Sequence, residues 1–421
     1  MSPRPSLFYG WWIVGAAVLV GLYVGGIVVY GFTAIFDPIV EEFGWSYATV
    51  SFAASLRGAE SGVLEPIVGR LVDRWGARRL VFAGGLATAA GLFLLSRTMS
   101  LVMFYGAFVL LAIGFSSCGT TVLVSAVANW FRARLAFTTG IALSGFGLGG
   151  VLLPIMVALI DKYGWRDTYE ILAVGSLLLV LPLSLVFRHK PEEYGYCVDG
   201  RRPEPAPATP SVSLPARPLP DESQMDVHGA IRTRSFWLLT FAFTVHTATV
   251  ITVVSHVMPY LDHVGVTRMT AGVMAAGIPV LSIIGRLGMG FMGDRMRRTR
   301  VTVLGYVLVG IGLLCFAAVP ALGTGVLYLF VLLFGIGYGG ATALRPALIR
   351  EHYGAARFGS IFGLVIGVNA IGGMIGPPVA GWSYDTSGNY AIVWIVLAGL
   401  AIVSAFLILL TERDVPHGQA V

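Results

Sequence analysis

Gly69-Arg70-Leu71-Val72-Asp73-Arg74-Trp75-Gly76-Ala77-Arg78-Arg79 is the stretch whose reading decides the fold. It returns as Gly290-Phe291-Met292-Gly293-Asp294-Arg295-Met296-Arg297-Arg298-Thr299-Arg300, displaced by 221 positions. Both read Gly-x-x-x-Asp-Arg with a basic residue six after the Asp, and both close a long apolar run. A second echo pairs Trp130-Phe131 with His352-Tyr353, and Gly149-Gly150-x-x-x-Pro154 with Gly372-Gly373-x-x-x-Pro377, at offsets of 222–223. Two echoes at nearly one offset mark a duplicated unit.

The unit is one that lives in a bilayer. Of 421 residues, 56% are hydrophobic and 12% charged, about half the charge of a soluble domain, and the mean hydropathy is +0.80. A helix needs about 20 apolar residues to cross the hydrocarbon core. Runs of that kind predict spans over 11–36, 47–69, 79–97, 101–127, 136–160, 168–187, 235–259, 269–293, 300–319, 325–349, 358–381 and 389–411. They are too long and too uniformly apolar for barrel strands, and lipid leaves every backbone group to be satisfied internally. The expected class is therefore an all-α integral membrane protein of twelve helices in two pseudo-symmetric bundles of six. The run from Trp11 is too long for a cleaved signal, so the first span is expected to remain in the mature protein.

Basic residues give the orientation. With the N-terminus inside, the loops after spans 2, 4, 8 and 10 hold Arg70, Arg74, Arg78, Arg79, Arg132, Arg134, Arg295, Arg297, Arg298, Arg300, Arg350 and Arg357; the opposite loops hold Arg97, Lys162, Arg166 and Arg268. Both termini are expected in the cytoplasm, with the chain in the plasma (inner) membrane. The net charge of +6 is then a topology signal, and no basic patch interleaved with exposed aromatics suggests nucleic acid. Cys118, Cys197 and Cys315 show neither pairing nor metal-ligand spacing, so no metal or cofactor is expected.

Six spans lie on either side of a polar stretch, 188–234, that holds eight prolines between His189 and Pro220. It reads as an extended or disordered linker between an N-terminal bundle, 1–187, and a C-terminal bundle, 235–421. Parallel six-helix repeats are what a rocker-switch transporter needs, with substrate near the midplane between them. On its loop motif the chain resembles the major facilitator superfamily. Tyr9-Gly10-Trp11-Trp12, Asn129-Trp130-Phe131 and Gly285-Arg286-x-x-x-Gly290-x-x-x-Asp294 resemble, within it, the monocarboxylate transporter and oxalate–formate antiporter branch.

Asp73 can accept from backbone N–H groups at a neighbouring helix N-terminus and from arginines. The resemblance implies that Gly69, Asp73, Arg74 and Arg78, with Asp294 and Arg295, form latches that break between states; fixing topology alone is the plainer account of the arginines. Gly140, Gly145, Gly147, Gly149 and Gly150, and Gly363, Gly367, Gly372, Gly373 and Gly376, suit close helix packing, with flexing near Pro154 and Pro377 as the alternative.

Ionisable groups inside spans cost about 2.5–3.5 kcal/mol each on the lenient insertion scale, so they mark the chemistry. Here they are Arg57, Glu60, Glu65, His246, Arg286 and Arg345. Arg286 lies eight residues before Asp294, about 12 Å inside the membrane at the helical rise. Its guanidinium can grip a carboxylate through two parallel hydrogen bonds, the role the resemblance implies; pairing with a helix carbonyl or a distant acid is the structural alternative. Glu60 faces Arg57 three residues away, either as a permanent internal pair or as a carboxyl that takes a proton when the pair loosens. His246 is a second proton candidate. Arg345, five residues from Arg350, is expected to snorkel to the interface. Cys118, Thr121 and Tyr338 are candidate cavity residues.

The chain departs from its resembling families in three places. Ser282 stands where animal monocarboxylate transporters carry an Asp, Tyr30 near the place of their span 1 Lys, and Asn369 is the central polar group of span 11, where the oxalate antiporter adds a Lys. One deep arginine without a second cation favours a monocarboxylate over a dicarboxylate. The expected function is secondary transport of a small organic monocarboxylate of the lactate, pyruvate or acetate type, with a proton as co-substrate. The alternatives are carboxylate exchange without proton coupling and multidrug export. A carboxylate sensor would need no alternating gates, and no nucleophile–base pair or phosphate-cradling loop points to an enzyme.

Overall fold

The computed structural model describes residues 8–45, 47–200 and 225–411, with side chains for all of these except 29, 30, 32–34, 36, 37, 47, 48, 51–61 and 268. Among them every regular element is helical: α1 Gly10–Gly25, α2 Gly31–Phe43, α3 Tyr47–Trp75, α4 Ala77–Ser96, α5 Leu101–Ser117, α6 Thr120–Trp130, α7 Leu135–Leu148, α8 Leu152–Ser184, α9 Val227–Ile231, α10 Arg234–His263, α11 Arg268–Gly293, α12 Arg298–Ala317, α13 Val319–Leu322, α14 Val326–Tyr353, α15 Phe358–Ser387 and α16 Ala391–Thr411.

Among the described residues ten stretches are long and apolar enough to cross a membrane, and the segment Leu135–Ser184 is one of them. It makes two passes, because Gly164 at φ 80° turns the chain inside α8, a left-handed conformation that glycine adopts without steric cost. The remaining pass is α3, whose 29 residues reach about 43 Å at the helical rise. Arg57, Glu60 and Glu65 lower its hydropathy below that of its neighbours. Twelve passes result, as the apolar runs predict. Most helices overrun those runs: α3 continues to Trp75 and α15 to Ser387, since hydrogen bonding along a helix does not stop where hydrocarbon ends. A π-turn, Gly26–Tyr30, joins α1 to α2, and Cys118 and Gly119 break the fourth pass between α5 and α6.

The apolar interior falls into three clusters. One joins α1 to α8 and another α10 to α16. The third is shared between the halves: Val124, Ala128, Leu135 and Leu143 pack with Met289, Leu344, Phe358 and Phe362. It lies at the end of the molecule that carries Asp73 and Asp294, called here the motif end. Large apolar side chains left outside, such as Val102, Leu178 and Phe406, face lipid rather than water.

Part of the expected linker is folded. Trp130 Nε1 donates to the Arg188 carbonyl at 3.1 Å and Asn129 Nδ2 to the His189 carbonyl at 3.0 Å. The Arg188 guanidinium lies over the rings of Tyr9 and Tyr194 at 4.0 and 4.5 Å. Asp199 then accepts from the backbone of Arg132 and Ala133. The expectation of an extended or disordered chain fails for 188–200, because aromatic stacking and these hydrogen bonds hold it; 201–224, where most of the prolines fall, lie outside the described residues.

Helix crossings in each half are set by glycine. A Cβ built at Gly339 of α14 would lie 1.8 Å from the Ser282 carbonyl oxygen of α11, whereas one at Gly399 of α16 meets nothing within 4 Å. Gly339→Ala should therefore force α11 and α14 apart and cost about 1–3 kcal/mol, while Gly399→Ala should be neutral or slightly stabilising. Thermal melting of the two variants in detergent, side by side with the parent, checks the contrast.

Candidate functional site

Two aspartates close the motif end, each reaching across to the other half. Asp73 Oδ1 accepts from the Gly359 amide at 2.9 Å, and Oδ2 accepts from the Ser360 amide at 2.7 Å and its hydroxyl at 2.6 Å. Asp294 Oδ1 accepts from the Ala136 amide at 2.9 Å and Oδ2 from the Phe137 amide at 2.8 Å. In both cases the acceptors meet the second and third residues of a helix, α15 or α7. Those amides have no partner within their own helix, and the helix dipole favours an anion there. The aspartates act as N-caps supplied from the opposite half.

The glycine four residues earlier makes the approach possible. A Cβ at Gly69 would lie 2.2 Å from the Gly359 carbonyl oxygen, and one at Gly290 would lie 2.8 Å from that of Ala136. Gly-x-x-x-Asp is thus one device, contact and cap together, repeated in both halves. Burial pushes the Asp294 carboxyl above its ordinary value, partly offset by the Phe137 and Ala136 amides and by Arg298. Arg74, Arg78 and Arg295 are exposed; Arg295 lies over the Phe291 ring at 3.5 Å. Among the described side chains the carboxylates meet backbone amides and the Ser360 hydroxyl rather than Arg74, Arg78 or Arg295, and Arg298 reaches across to the Arg132 carbonyl at 3.3 Å.

Deeper in the C-terminal half, α10, α11 and α14 bring Arg286, Tyr338, His246 and Arg345 together. Arg286 is 6% exposed. Its Nη1 donates to the Leu143 carbonyl at 3.0 Å and its Nη2 to the Tyr338 hydroxyl at 3.3 Å, while Nε has no partner. The Tyr338 ring lies 6.0 Å from that of His246. Arg345 Nη2 contacts His246 Nδ1, and its Nη1 donates to Thr247 at 3.3 Å. A guanidinium only donates, so in this contact His246 Nδ1 is the acceptor.

Arg345 corrects an expectation. It does not snorkel: it is 8% exposed, held inward by His246, Thr247 and the face of Phe243 at 5.4 Å. The C-terminal half therefore holds two buried cations, and the premise of a single deep arginine falls. Its five-residue distance from Arg350 pointed to the interface, and no sequence signal named His246 as its partner.

The other predicted residues scatter. Ser282 gives its hydroxyl to the Pro279 carbonyl at 2.7 Å and is walled in by Gly339. Asn369 Oδ1 accepts from Thr244 at 3.0 Å, leaving Nδ2 unpartnered. Cys118 and Thr121 are fully buried in the N-terminal half, Cys118 donating to the Val81 carbonyl at 3.6 Å and Thr121 to Glu65. The side chains of Tyr30, Arg57 and Glu60 lie outside the described residues. Glu65, 4% exposed, received no role from sequence. A signal was there: Glu60 has Arg57 three residues away, but Glu65 has no basic residue at three or four on either side.

The sequence pattern of the Major Facilitator Superfamily matches residues 18–285 and again 247–420. The chain belongs to this superfamily. Membership places the protein among transporters rather than enzymes. Monocarboxylate transporter 12-B of Danio rerio is 27% identical over 431 residues, covering 99% of this chain and 89% of its own. Monocarboxylate transporter 13 of Bos taurus is 27% identical over 416 residues, covering 98% and 91%. Both bear out the branch resemblance of the sequence motifs. Among solved structures, the E. coli superfamily member FucP in its outward conformation superposes with a TM-score of 0.68 at 17% identity, over 95% of this chain and 99% of that one.

The reciprocal caps make a testable lock. Asp73→Asn removes the charge and one acceptor, and should weaken the closed motif end by about 1–2 kcal/mol, shifting the open-to-closed ratio roughly five- to thirtyfold. A cysteine placed at Phe362 of the shared cluster, with the native cysteines replaced, should then label faster with a thiol reagent supplied from the motif side. Unchanged labelling would remove the gate assignment.

Proposed function

We propose that the protein carries small organic monocarboxylates of the lactate, pyruvate or acetate type across the plasma (inner) membrane by alternating access, with a proton moving in the same direction. Arg286 carries this reading. It is buried at the α7–α11 seam between the halves, its Nε is unpartnered, and among the described side chains no acid pairs with it. An uncompensated charge in such surroundings costs several kcal/mol, so the site is built for an arriving anion. Tyr338 offers a hydroxyl beside it, and the planar fork of Arg286 suits a carboxylate. The names of the relatives agree with that substrate class.

The motif loops are rich in arginine, which puts them and both termini in the cytoplasm. The closed motif end then corresponds to a protein shut on its cytoplasmic side. The two bundles, 1–187 and 235–421, are the bodies that would rock about the seam, with 188–234 joining them. His246 is a poorer proton carrier than its position suggests, since Arg345 occupies its Nδ1.

Arg345 favours one second reading. Two buried cations in one half suit an anion with two acidic groups, carried by exchange and without a proton. Uptake of labelled lactate, acetate and oxalate into proteoliposomes, with and without a pH gradient, separates the readings. Gradient-driven lactate accumulation supports symport; oxalate exchange that is indifferent to the gradient and lost in Arg345→Gln supports the second.

Arg286→Lys keeps the charge but loses the two-point grip. The variant should bind labelled monocarboxylate weaker by about 1.5–3 kcal/mol, or roughly 10- to 150-fold in Kd, while still folding. Arg286→Gln binding as tightly as the parent would overturn the assignment.

A further inference from the structure

Glu65 is the buried acid for which transport of the carboxylate itself has no use. It sits on α3 with its main chain pressed against α15: a Cβ at Gly363 would lie 2.5 Å from the Glu65 carbonyl oxygen. Its side chain turns the other way, toward α6, where its Oε2 meets the hydroxyl of Thr121 just past the break at Cys118 and Gly119. Glu65 is 4% exposed and Thr121 is fully buried. One residue thus touches both the seam between the halves and the bend of the fourth pass.

No cation is in reach among the described side chains. Arg57 lies eight residues away along the same helix, about 12 Å at the helical rise, and Arg70 is exposed. The elements packed against α3 are α2, α4, α5, α6 and α15. On α2 stand Glu41 and Glu42, near the far end, and Asp37, whose side chain is not described. On α4 stand Arg78 and Arg79, both exposed at the motif end. On α5, Tyr105 donates to the Thr49 carbonyl at 3.0 Å, and Cys118 caps its end. On α15 stand Tyr384 and Asp385, far along the helix, with Arg357 at its N-terminal cap. The side chain of Arg57, like that of Asp37, lies outside the described residues; none of the described groups forms an ion pair with Glu65, and α6 carries no charged group.

We propose that Glu65 is the proton carrier of this transporter, holding one proton while the α3–α15 seam is closed and releasing it when that seam parts. The proposal rests on the symport reading. An unpaired carboxylate in a dry seam is costly, whereas the neutral acid is not. Closing the seam therefore selects the form with the proton, and parting it lets water reach and stabilise the carboxylate. The step is balanced: one proton binds one carboxylate oxygen from water and returns to water on the other side, with no electron transfer. The Thr121 hydroxyl can donate to the carboxylate or accept from the acid, so it serves both forms. Arg286 in one half and Glu65 in the other would then load anion and proton as a neutral pair.

The test is made on the full-length protein in proteoliposomes with labelled lactate. Glu65→Gln should lose gradient-driven accumulation yet still exchange labelled for unlabelled lactate, at a rate that no longer depends on pH. Infrared difference spectra of purified parent, titrated without substrate, should show a protonated-carboxyl band that Glu65→Gln lacks. Full accumulation in Glu65→Gln, or a band that persists in it, overturns the proposal. If the parent moves no lactate, the symport reading falls, and the infrared band alone decides whether Glu65 holds a proton. Should Glu65→Gln fold poorly, Thr121→Val decides: a shifted pH profile of uptake supports the proposal, and a lower rate with an unshifted profile overturns it.

Discussion

Two carboxylates that cap helices they do not belong to hold the rest of this structure in register. Asp73 caps α15 and Asp294 caps α7, each across the boundary between the halves, with oxygen–nitrogen distances of 2.7–2.9 Å. The interaction is strong because it joins three favourable terms: orphan amides, a helix dipole and a charge shielded from water. It is also local and breakable, since a single step apart lets water replace the carboxylate at the amides. The shared apolar cluster behind it supplies adhesion without direction; the caps supply the direction.

Much of this was legible from residues alone. The repeat of Gly-x-x-x-Asp-Arg at an offset of 221 announces two equivalent halves, and apolar run length counts the passes. The physical role of Asp73 followed from what a carboxylate can accept. Its partner helix did not, because nothing in a sequence states which N-terminus lies across a seam. The arginines of the loop were harder, since topology and latching ask for the same residue type, and the structure leaves Arg74, Arg78 and Arg295 exposed. Linker composition misled for the opposite reason. Charged and proline-rich chain is usually solvated, but Arg188 has two aromatic faces to lie on and Asp199 has two amides to cap.

The buried charges show where sequence reasoning ends. A side chain's cost in a membrane depends on its neighbours in three dimensions, and an arginine five residues from the interface reads as one that can escape. Arg345 instead turns inward onto His246, which gives the C-terminal half two cations and leaves its charge uncompensated among the described side chains. Among its described side chains the N-terminal half shows the reverse sign: Glu65 is buried there and meets the Thr121 hydroxyl. Among the described side chains, the buried arginines and the buried acid thus lie in different halves and are not paired with each other. A permanent pair would neutralise both and leave nothing for a mobile ion to do.

The geometry of the caps has a consequence for assembly. Each half presents an aspartate and a helix N-terminus, that of α7 or α15, and each receives the same pair in return at the second and third residues of the helix. That reciprocity is the mark of an isologous interface, the self-complementary contact by which two identical copies dimerise about a two-fold axis. Nothing in the contact requires the two partners to be one polypeptide. The connecting chain raises the local concentration of one half around the other, and the docking geometry is written in the helices themselves.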